Sequence, residues 1–324
     1  VCSYQTRLSL WEKGELRGKP KLVCENHAMP VFYRNVMYKP GEESEDAACL
    51  KLYDGHDWKW FRAGLLHTDM EYLRRHWSGK KSSAPVLEKR HQKYFLRFSY
   101  TEEVTLSKTP VKDQLICSVD LGINTDAVCS IIRSDGTVLD RKFINFPSEK
   151  DRLSHVLGRI RRFQKEHGSK QIGSRWAYAK RLNTELARKT ARSIAEYAHE
   201  NHADVIVFEY LEMKGKISGK KRQKLHLWKK REIQTMCEHK AHRYGIRVSR
   251  VCAWNTSRLA YDGSGPVSRD PKNHSLCVFQ SGKQYNCDLS ASYNIGARYW
   301  IREIIKTLPE TERSSLEAKV PAVE

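Results

Sequence analysis

The sequence predicts an α/β protein in two parts: a small β-rich region to about residue 110, then a larger domain in which strands and helices alternate. Three observations predict it. Apolar–polar alternation with turn residues between the runs dominates the first part, as in Cys49–Tyr53, Asp54–Asp57 and Trp58–Ala63. Three strand-like runs in close succession open the second part, at Leu115–Asp120, Asp126–Arg133 and Thr137–Ile144. After them, apolar residues recur at helical spacing over long stretches, separated by two further strand-like runs at 204–208 and 246–254.

Length and charge bound the function. A chain of 324 residues with 40% apolar content can bury a large core, as one large domain or two ordinary ones. It carries 58 Lys and Arg against 38 Asp and Glu, a formal net charge of +20. Self-repulsion on that scale works against the compact state, so a polyanionic partner is expected. No window approaches the roughly 18 consecutive apolar residues of a membrane-spanning helix. The expected polyanion is therefore nucleic acid, with no membrane partner. Nine scattered cysteines without a CxxC pair are no disulfide framework, which points to a reducing compartment, the cytoplasm. The chain begins with Val1 and not Met, so its N-terminal portion is expected to be incomplete.

In the first part, residues 1–110, His67–His76 reads as a short helix with Thr68 as its N-cap, and Lys93–Tyr100 as a strong strand. Several strands with helical elements suggest a small β-barrel-like region. Basic and aromatic residues alternate along it, as in Trp58-Lys59-Trp60 and Tyr94 with Arg97. That pattern suits either rings stacking on bases or an ordinary half-buried sheet with a wet basic face. A linker at Ser107–Asp113 leads to the second domain, residues 111–306, and a tail at 307–324.

Within that domain Ser134-Asp135-Gly136 joins the second and third strands as a hairpin. Residues 151–203 read as two helices broken between Gly168 and Gly173, the second running from Thr184 to His202. Between Arg152 and Arg192 there are twelve Lys or Arg and two Glu, and Lys214–Arg231 carries nine Lys or Arg and no acid. Solvated faces usually mix signs, so Arg159, Arg161, Arg162, Arg188, Arg192, Lys220, Lys221, Arg222, Lys229 and Lys230 are candidate phosphate contacts. A helix ending at about Arg243 with Gly245 as its cap follows, then an irregular insertion at 255–287 and a last helix from Leu289.

Three carboxylates occupy telling places. Asp120 ends the first strand of the meander, Glu209 ends the next strand, and Asp288 opens the final helix. Taken alone, Asp120 before Gly122 is equally a turn aspartate. The order β-β-β-α-β-α-β-α is that of an RNase H-like fold, in which strand ends and a late helix converge. Carboxylates brought together repel, and Mg²⁺, which prefers hard oxygen ligands, removes that cost. Two such ions about 3.5–4 Å apart activate a water and stabilise the leaving oxygen at a phosphodiester.

The wording around these acids resembles a known family. Ser118-Val119-Asp120-Leu121-Gly122-Ile123-Asn124, Val205-Ile206-Val207-Phe208-Glu209-Tyr210-Leu211 and Asp288-Leu289-Ser290-Ala291-Ser292-Tyr293-Asn294-Ile295-Gly296 resemble the three RuvC motifs of transposon-encoded TnpB (OrfB) proteins and related type V CRISPR effector nucleases. Lys240-Ala241 through Tyr244-Gly245, then Thr256-Ser257, resemble the approach to that family's zinc ribbon. The resemblance covers about 115–302 well and residues 1–110 more loosely. It implies a RuvC nuclease domain with a basic helical insertion, an RNA-guided DNA endonuclease activity, and Asp120, Glu209 and Asp288 as ligands for two Mg²⁺ ions. It also implies a guide RNA from the transposon and a target DNA as partners. The chain departs from the family at the ribbon: Ala260 and Gly263 stand where the first Cys pair is expected, and Gln280 and Ser281 follow Cys277 where its partner would fall. Cys252, His274, Cys277 and Cys287 are the weak zinc candidates, and without two tight pairs zinc is not expected. Two alternatives stay open: a guide-independent RNase H-like nuclease or transposase, and a non-cleaving RNA-guided DNA-binding protein or decayed transposon product.

Overall fold

The structure, a computed structural model, describes residues 2–20, 32, 35–41, 45–90, 93–168, 172–210, 227–270, 273, 275–310 and 312–313. The chain divides into two compact units, Val1–Glu103 and Val104–Glu324.

The first unit begins with a helix that alternation does not announce, α1 (Cys2–Glu12). Its main sheet has the order β1-β2-β3, from Tyr38–Pro40, Ala47–Tyr53 and Trp58–Gly64. The β2–β3 hairpin turns where expected: Asp54 Oδ1 accepts from the amides of His56 and Asp57 at 2.9 and 2.8 Å. Helix α2 (His67–Trp77) starts one residue before Thr68, so Thr68 lies in its first turn and Leu66 is the N-cap, with no side-chain bond. The run expected as one strand at 93–100 is split into β6 (Lys93–Arg97) and β7 (Tyr100–Thr101). Strand β6 pairs with β5 (Val86–Arg90), and β7 with β4 (Lys81–Ser82). Among the described residues these ladders close no barrel, because each small ladder pairs only within itself. Phe32, Tyr38, Ala48 and Leu50 form the core of this unit.

The second unit is built on a five-stranded sheet of order β10-β9-β8-β11-β12. Its strands are β8 (Leu115–Asp120), β9 (Ala127–Arg133), β10 (Val138–Ile144), β11 (Val205–Tyr210) and β12 (Arg247–Cys252). The first three form an antiparallel meander, and β11 runs parallel to both β8 and β12. Gly136, at φ +87°, makes the β9–β10 turn that Asp135-Gly136 predicts.

Helix α3 (Pro147–His167) starts four residues earlier than its apolar spacing suggests, with Pro147 in the first turn, where its missing N–H costs nothing. Helix α4 (Gly173–Glu200) is 28 residues long and begins well before Thr184, because Ala179, Asn183 and Ala187 extend the buried stripe of Thr190, Ala191 and Ile194 backwards. Helix α5 (Lys230–Arg243) ends at Gly245, whose φ of +76° is the left-handed cap expected there. The insertion holds a small sheet of β13 (Ser268–Arg269), β14 (Leu276–Val278) and β15 (Gln284–Asn286), and α6 (Cys287–Thr307) closes the unit.

Strand parity sorts the core into two layers. Cys117, Val119, Cys129, Ile131, Ile206 and Phe208 point toward α4 and α5, where they meet Ala191, Ile194 and Cys237. Ile116, Val128, Val205 and Val207 point the other way, against Leu289, Tyr293 and Ile295 of α6. Helix α6 comes so close to the sheet that a Cβ on Gly296 would stand 2.7 Å from Ile132 Cδ1. An unannounced brace ties the start of the sheet: Asp204 accepts from the hydroxyls of Ser107 and Thr109 at 2.6 and 2.5 Å and from the Leu115 amide at 2.9 Å.

Candidate active site at the strand ends

Phe208 pairs with Val119 in the parallel β8–β11 ladder, so Glu209 and Asp120 occupy the next rung together. Neighbouring strands lie about 4.8 Å apart, and residues on one rung share a face. Asp120 has the parity of Ile116, and Glu209 that of Val205 and Val207, so both carboxylates face the α6 layer. Asp288 enters from that layer, in the first turn of α6. The helix is set there by Asn286, whose Oδ1 accepts from the amides of Asp288 and Leu289, both at 3.0 Å.

Asp120 feels both of the other acids. Burial, then the charges of Glu209 and Asp288, push the Asp120 carboxyl well above the usual carboxylate range against the opposing pull of Arg269. Burial also raises Asp288, although the Arg269 charge and a hydrogen bond from Thr125 work to lower it. Glu209, 8% exposed, is likewise raised by burial, while the Thr256 hydroxyl and the Arg298 charge oppose the shift. Each carboxylate is thus held in a place that disfavours its charge.

The supporting shell is mostly local backbone and one face of α6. The Thr256 hydroxyl donates to Glu209 Oε1, and the Gln234 amide donates to the Glu209 carbonyl at 2.8 Å. Asn294 Nδ2 donates to the carbonyls of Thr256 and Leu259 at 2.8 and 2.7 Å. One turn further on, Arg298 donates to the Cys252 carbonyl at 2.6 Å and to that of Trp254. A Cβ on Gly122 would sit 2.6 Å from the Thr125 carbonyl oxygen. The space beside Gly122 is therefore filled by its own loop, and not kept for a ligand. The missing side chain lets Thr125 fold back toward Asp288. Thr256 and Asn294 fall within stretches singled out above. Arg269 and Arg298 carry no sequence signal, since a lone Arg in a basic chain is indistinguishable from its neighbours.

The donor set is all carboxylate oxygen. Among the described residues no three Asp, Glu, His or Cys side chains converge tightly enough to hold a metal ion as they stand. Asp120, Glu209 and Asp288 form a charge-coupled cluster and not a finished coordination shell. Cys277 and Cys287 are buried with Ala260 and Phe279 in the core of the insertion, and burial beside Cys287 pushes the Cys277 thiol up to about 12. Cys252, at the end of β12, is half-buried.

Of the basic candidates, Arg159, Arg161, Arg162 and Arg188 are exposed on α3 and α4. Arg192 is exposed but paired with Glu196 at 2.7 Å, and Lys229 is engaged by Glu232 and Thr184. Lys230 departs from the expected surface position: it is buried, its ammonium 5.6 Å from the Trp228 ring. Lys220, Lys221, Arg222 and His274 lie outside the described residues. In the first unit, Trp58, Trp60 and Tyr94 are exposed, with Lys39 5.1 Å from the Trp60 ring and Lys89 5.3 Å from that of Tyr94.

A profile for the Cas12f1-like, TNB domain matches residues 231–295, the stretch from α5 to α6 that holds the insertion and Asp288. The TnpB-like protein aq_aa05 of Aquifex aeolicus (strain VF5) is 26% identical over 247 residues, covering 69% of this chain and 79% of that protein. The chain thus resembles TnpB-like proteins over most of its length. A second relative, the TnpB-like protein ORF457 of Acidianus two-tailed virus, is 28% identical over 204 residues. The match takes in 57% of this chain and only 42% of the viral protein. Residues 1–54 match a profile for the Aq_aa04 family. Among solved structures, the mini-RNA-guided endonuclease CRISPR-Cas_phi3 shares the fold, with a TM-score of 0.51 and 13% identity over 78% of this chain and 57% of that one.

Proposed function

We propose that the chain is a Mg²⁺-dependent DNA endonuclease of the RNase H-like, RuvC kind, directed to its target by a guide RNA. One observation carries the catalytic part: Asp120 and Glu209 share a rung at the carboxyl ends of two parallel strands, with Asp288 brought over them by α6. Three carboxylates held where charge is disfavoured fit a hard divalent cation, whose binding offsets both burial and repulsion. Asp120, Glu209 and Asp288 would hold the cations. Bound there, such ions supply a nucleophile from water and neutralise charge at a phosphodiester.

The remaining groups act on orientation and charge. Thr256 fixes the Glu209 carboxylate through its hydroxyl, and Asn294 holds the backbone of Thr256 in turn. Arg269 places a positive charge within reach of Asp120 and Asp288, where a strand's phosphate would lie. The exposed arginines of α3 and α4 supply further phosphate contacts. The guide is supported by the similarity to TnpB-like proteins, and by the exposed aromatic and basic side chains of the first unit as a nucleic-acid surface.

The test is purification of the protein with the RNA it retains, sequencing of that RNA, and incubation with matching DNA and Mg²⁺. Cleavage that needs both the RNA and Asp120 supports the proposal. Cleavage without RNA replaces it by the guide-independent nuclease. Defined RNA and DNA binding without cleavage replaces it by a guided DNA-binding protein.

A further inference from the structure

A cavity of about 390 Å³ opens beside the carboxylates on the other face of the sheet. Its floor is the loop that follows Asp120, from Gly122 to Asp126, and its walls are the first half of α3, Asn183 and Leu186 of α4, and Leu227-Trp228. Because β8 and β10 run in the same direction, the loop after β8 and the start of α3 lie at the same end of the sheet as Asp120 and Glu209. The cavity and the acids are therefore separated by one short loop.

Its lining has a distinct chemistry. Leu153, Leu157, Leu186 and Leu227 give apolar walls, and Trp228 offers an aromatic one. The Asn124 amide and the hydroxyl of Ser154 supply hydrogen-bonding groups at the wall and rim, while Asn183 Nδ2 is engaged by the Leu227 carbonyl at 2.6 Å. The cavity's buried acid is already neutralised: Asp126 meets Lys150 at 3.0 Å and accepts from the Phe146 amide at 2.9 Å. At the rim stand the exposed Arg161 and one exposed acid, Asp151. The volume falls within the range of about 300–1,000 Å³ of small-ligand sites. A flat, partly apolar group with hydrogen-bonding edges, attached to an anion, matches this lining.

We infer that the cavity takes one unpaired nucleobase of the DNA strand presented to the carboxylates, with Trp228 against the base and Arg161 toward its backbone phosphate. The inference rests on the nuclease reading for the identity of the strand. A base drawn into a fitted pocket would fix the register of the backbone beside it. The structure thus supplies an anchor that sets where along an opened strand the phosphodiester meets Asp120.

The test is binding and photocrosslinking with the full chain, in Ca²⁺ to suppress turnover. The probe is a single-stranded DNA oligonucleotide carrying 5-iodouracil. A crosslink mapped to Trp228 by mass spectrometry is expected, along with an affinity loss of about fivefold or more when the strand's bases are removed. Ser154 is exposed on α3, so Ser154→Trp fills the cavity mouth without touching the core. That variant should lose the Trp228 crosslink and the base-dependent affinity while keeping duplex binding. Crosslinks confined to other residues, or a Ser154→Trp variant that still distinguishes the two strands, would overturn the inference. So would capture of an RNA strand but not of DNA. Asp120→Ala should leave the crosslink intact. A chain that cleaves DNA but lacks the crosslink refutes the pocket alone, and one that crosslinks at Trp228 but never cleaves refutes the nuclease reading alone.

Discussion

Replacing Asp120 by Asn separates what the carboxylate costs the fold from what it does for a cation. Burial and the charges of Glu209 and Asp288 raise its pKa, so the folded protein holds this proton more tightly than the unfolded chain does. An acid shifted upward leaves stability intact below its unfolded value, about 3.9, and drains it as pH rises through the folded value. Two charges about 5 Å apart repel by about 3 kcal/mol at an effective dielectric of about 20. Arg269 returns part of that, so at neutral pH the asparagine should gain about 1–3 kcal/mol over the wild type.

Urea unfolding at a series of pH values, in chelator, measures the gap directly. It should be near zero at pH 4 and widen toward pH 8. Added Mg²⁺ should reverse the order, because a cation held by the wild type at a hundred times its Kd stabilises by about 2.7 kcal/mol and the variant forfeits most of that. A variant less stable than the wild type at pH 8 in chelator would refute the electrostatic reasoning. Equal responses to Mg²⁺ would remove Asp120 from the cation site.

Three further outcomes follow from the supporting contacts. Thr256→Val deletes the hydroxyl on Glu209 at similar volume, and should weaken divalent-cation affinity by about 10- to 100-fold in a calorimetric titration while leaving the fold intact. At Asp204, burial works to raise the carboxyl, but Ser107, Thr109, the Leu115 amide and the Arg247 charge together hold it below the usual range. Its contribution is therefore present above the unfolded pKa and lost as pH falls through the lowered folded value, so Asp204→Asn should cost about 1–2 kcal/mol at pH 7 and progressively less in acid. Gly296→Val forces a side chain onto Ile132 and should lower stability by about 1–3 kcal/mol in urea unfolding, with cleavage falling as α6 is pushed off the sheet.

The second unit was more legible in the sequence than the first because its signals are local. Strands β8 and β9 are apolar but for one buried serine each before their charged last residue, β11 is apolar over Val205–Phe208, and Asp135-Gly136 and Gly245 mark real turns. The first half of α4 escaped because Ala179 and Asn183 are buried by α3 and by Leu227, and neither residue type announces a buried stripe. In the first unit, alternation identified β2 and β3 but says nothing about which ladders join, and closure into a barrel depends on pairings far apart in sequence. At the candidate site the acids were legible as types at the ends of elements. Their shell was not: Arg298 gains meaning only because α6 lays it against the carbonyl of Cys252, forty-six residues upstream.

That helix explains how the three acids are gathered at one end of the sheet. Asp288, Asn294, Gly296 and Arg298 all lie on α6, and each fixes a different part of the site. Gly296 sets the distance to the sheet at Ile132, and Asn294 and Arg298 hold the backbone leaving β12, including that of the residue bonded to Glu209. The hydrophobic contacts of Leu289, Tyr293 and Ile295 with Val205 and Val207 supply the driving force. A fold that buries apolar surface on this scale can keep three carboxylates at one end of the sheet, and the same rigidity resists their moving away from one another. The unrelieved charge is then available to a divalent cation as binding free energy. Gly296→Val and Asp120→Asn should consequently act in opposite directions on stability and in the same direction on cation affinity, a pairing that an active-site acid with a merely structural function would not produce.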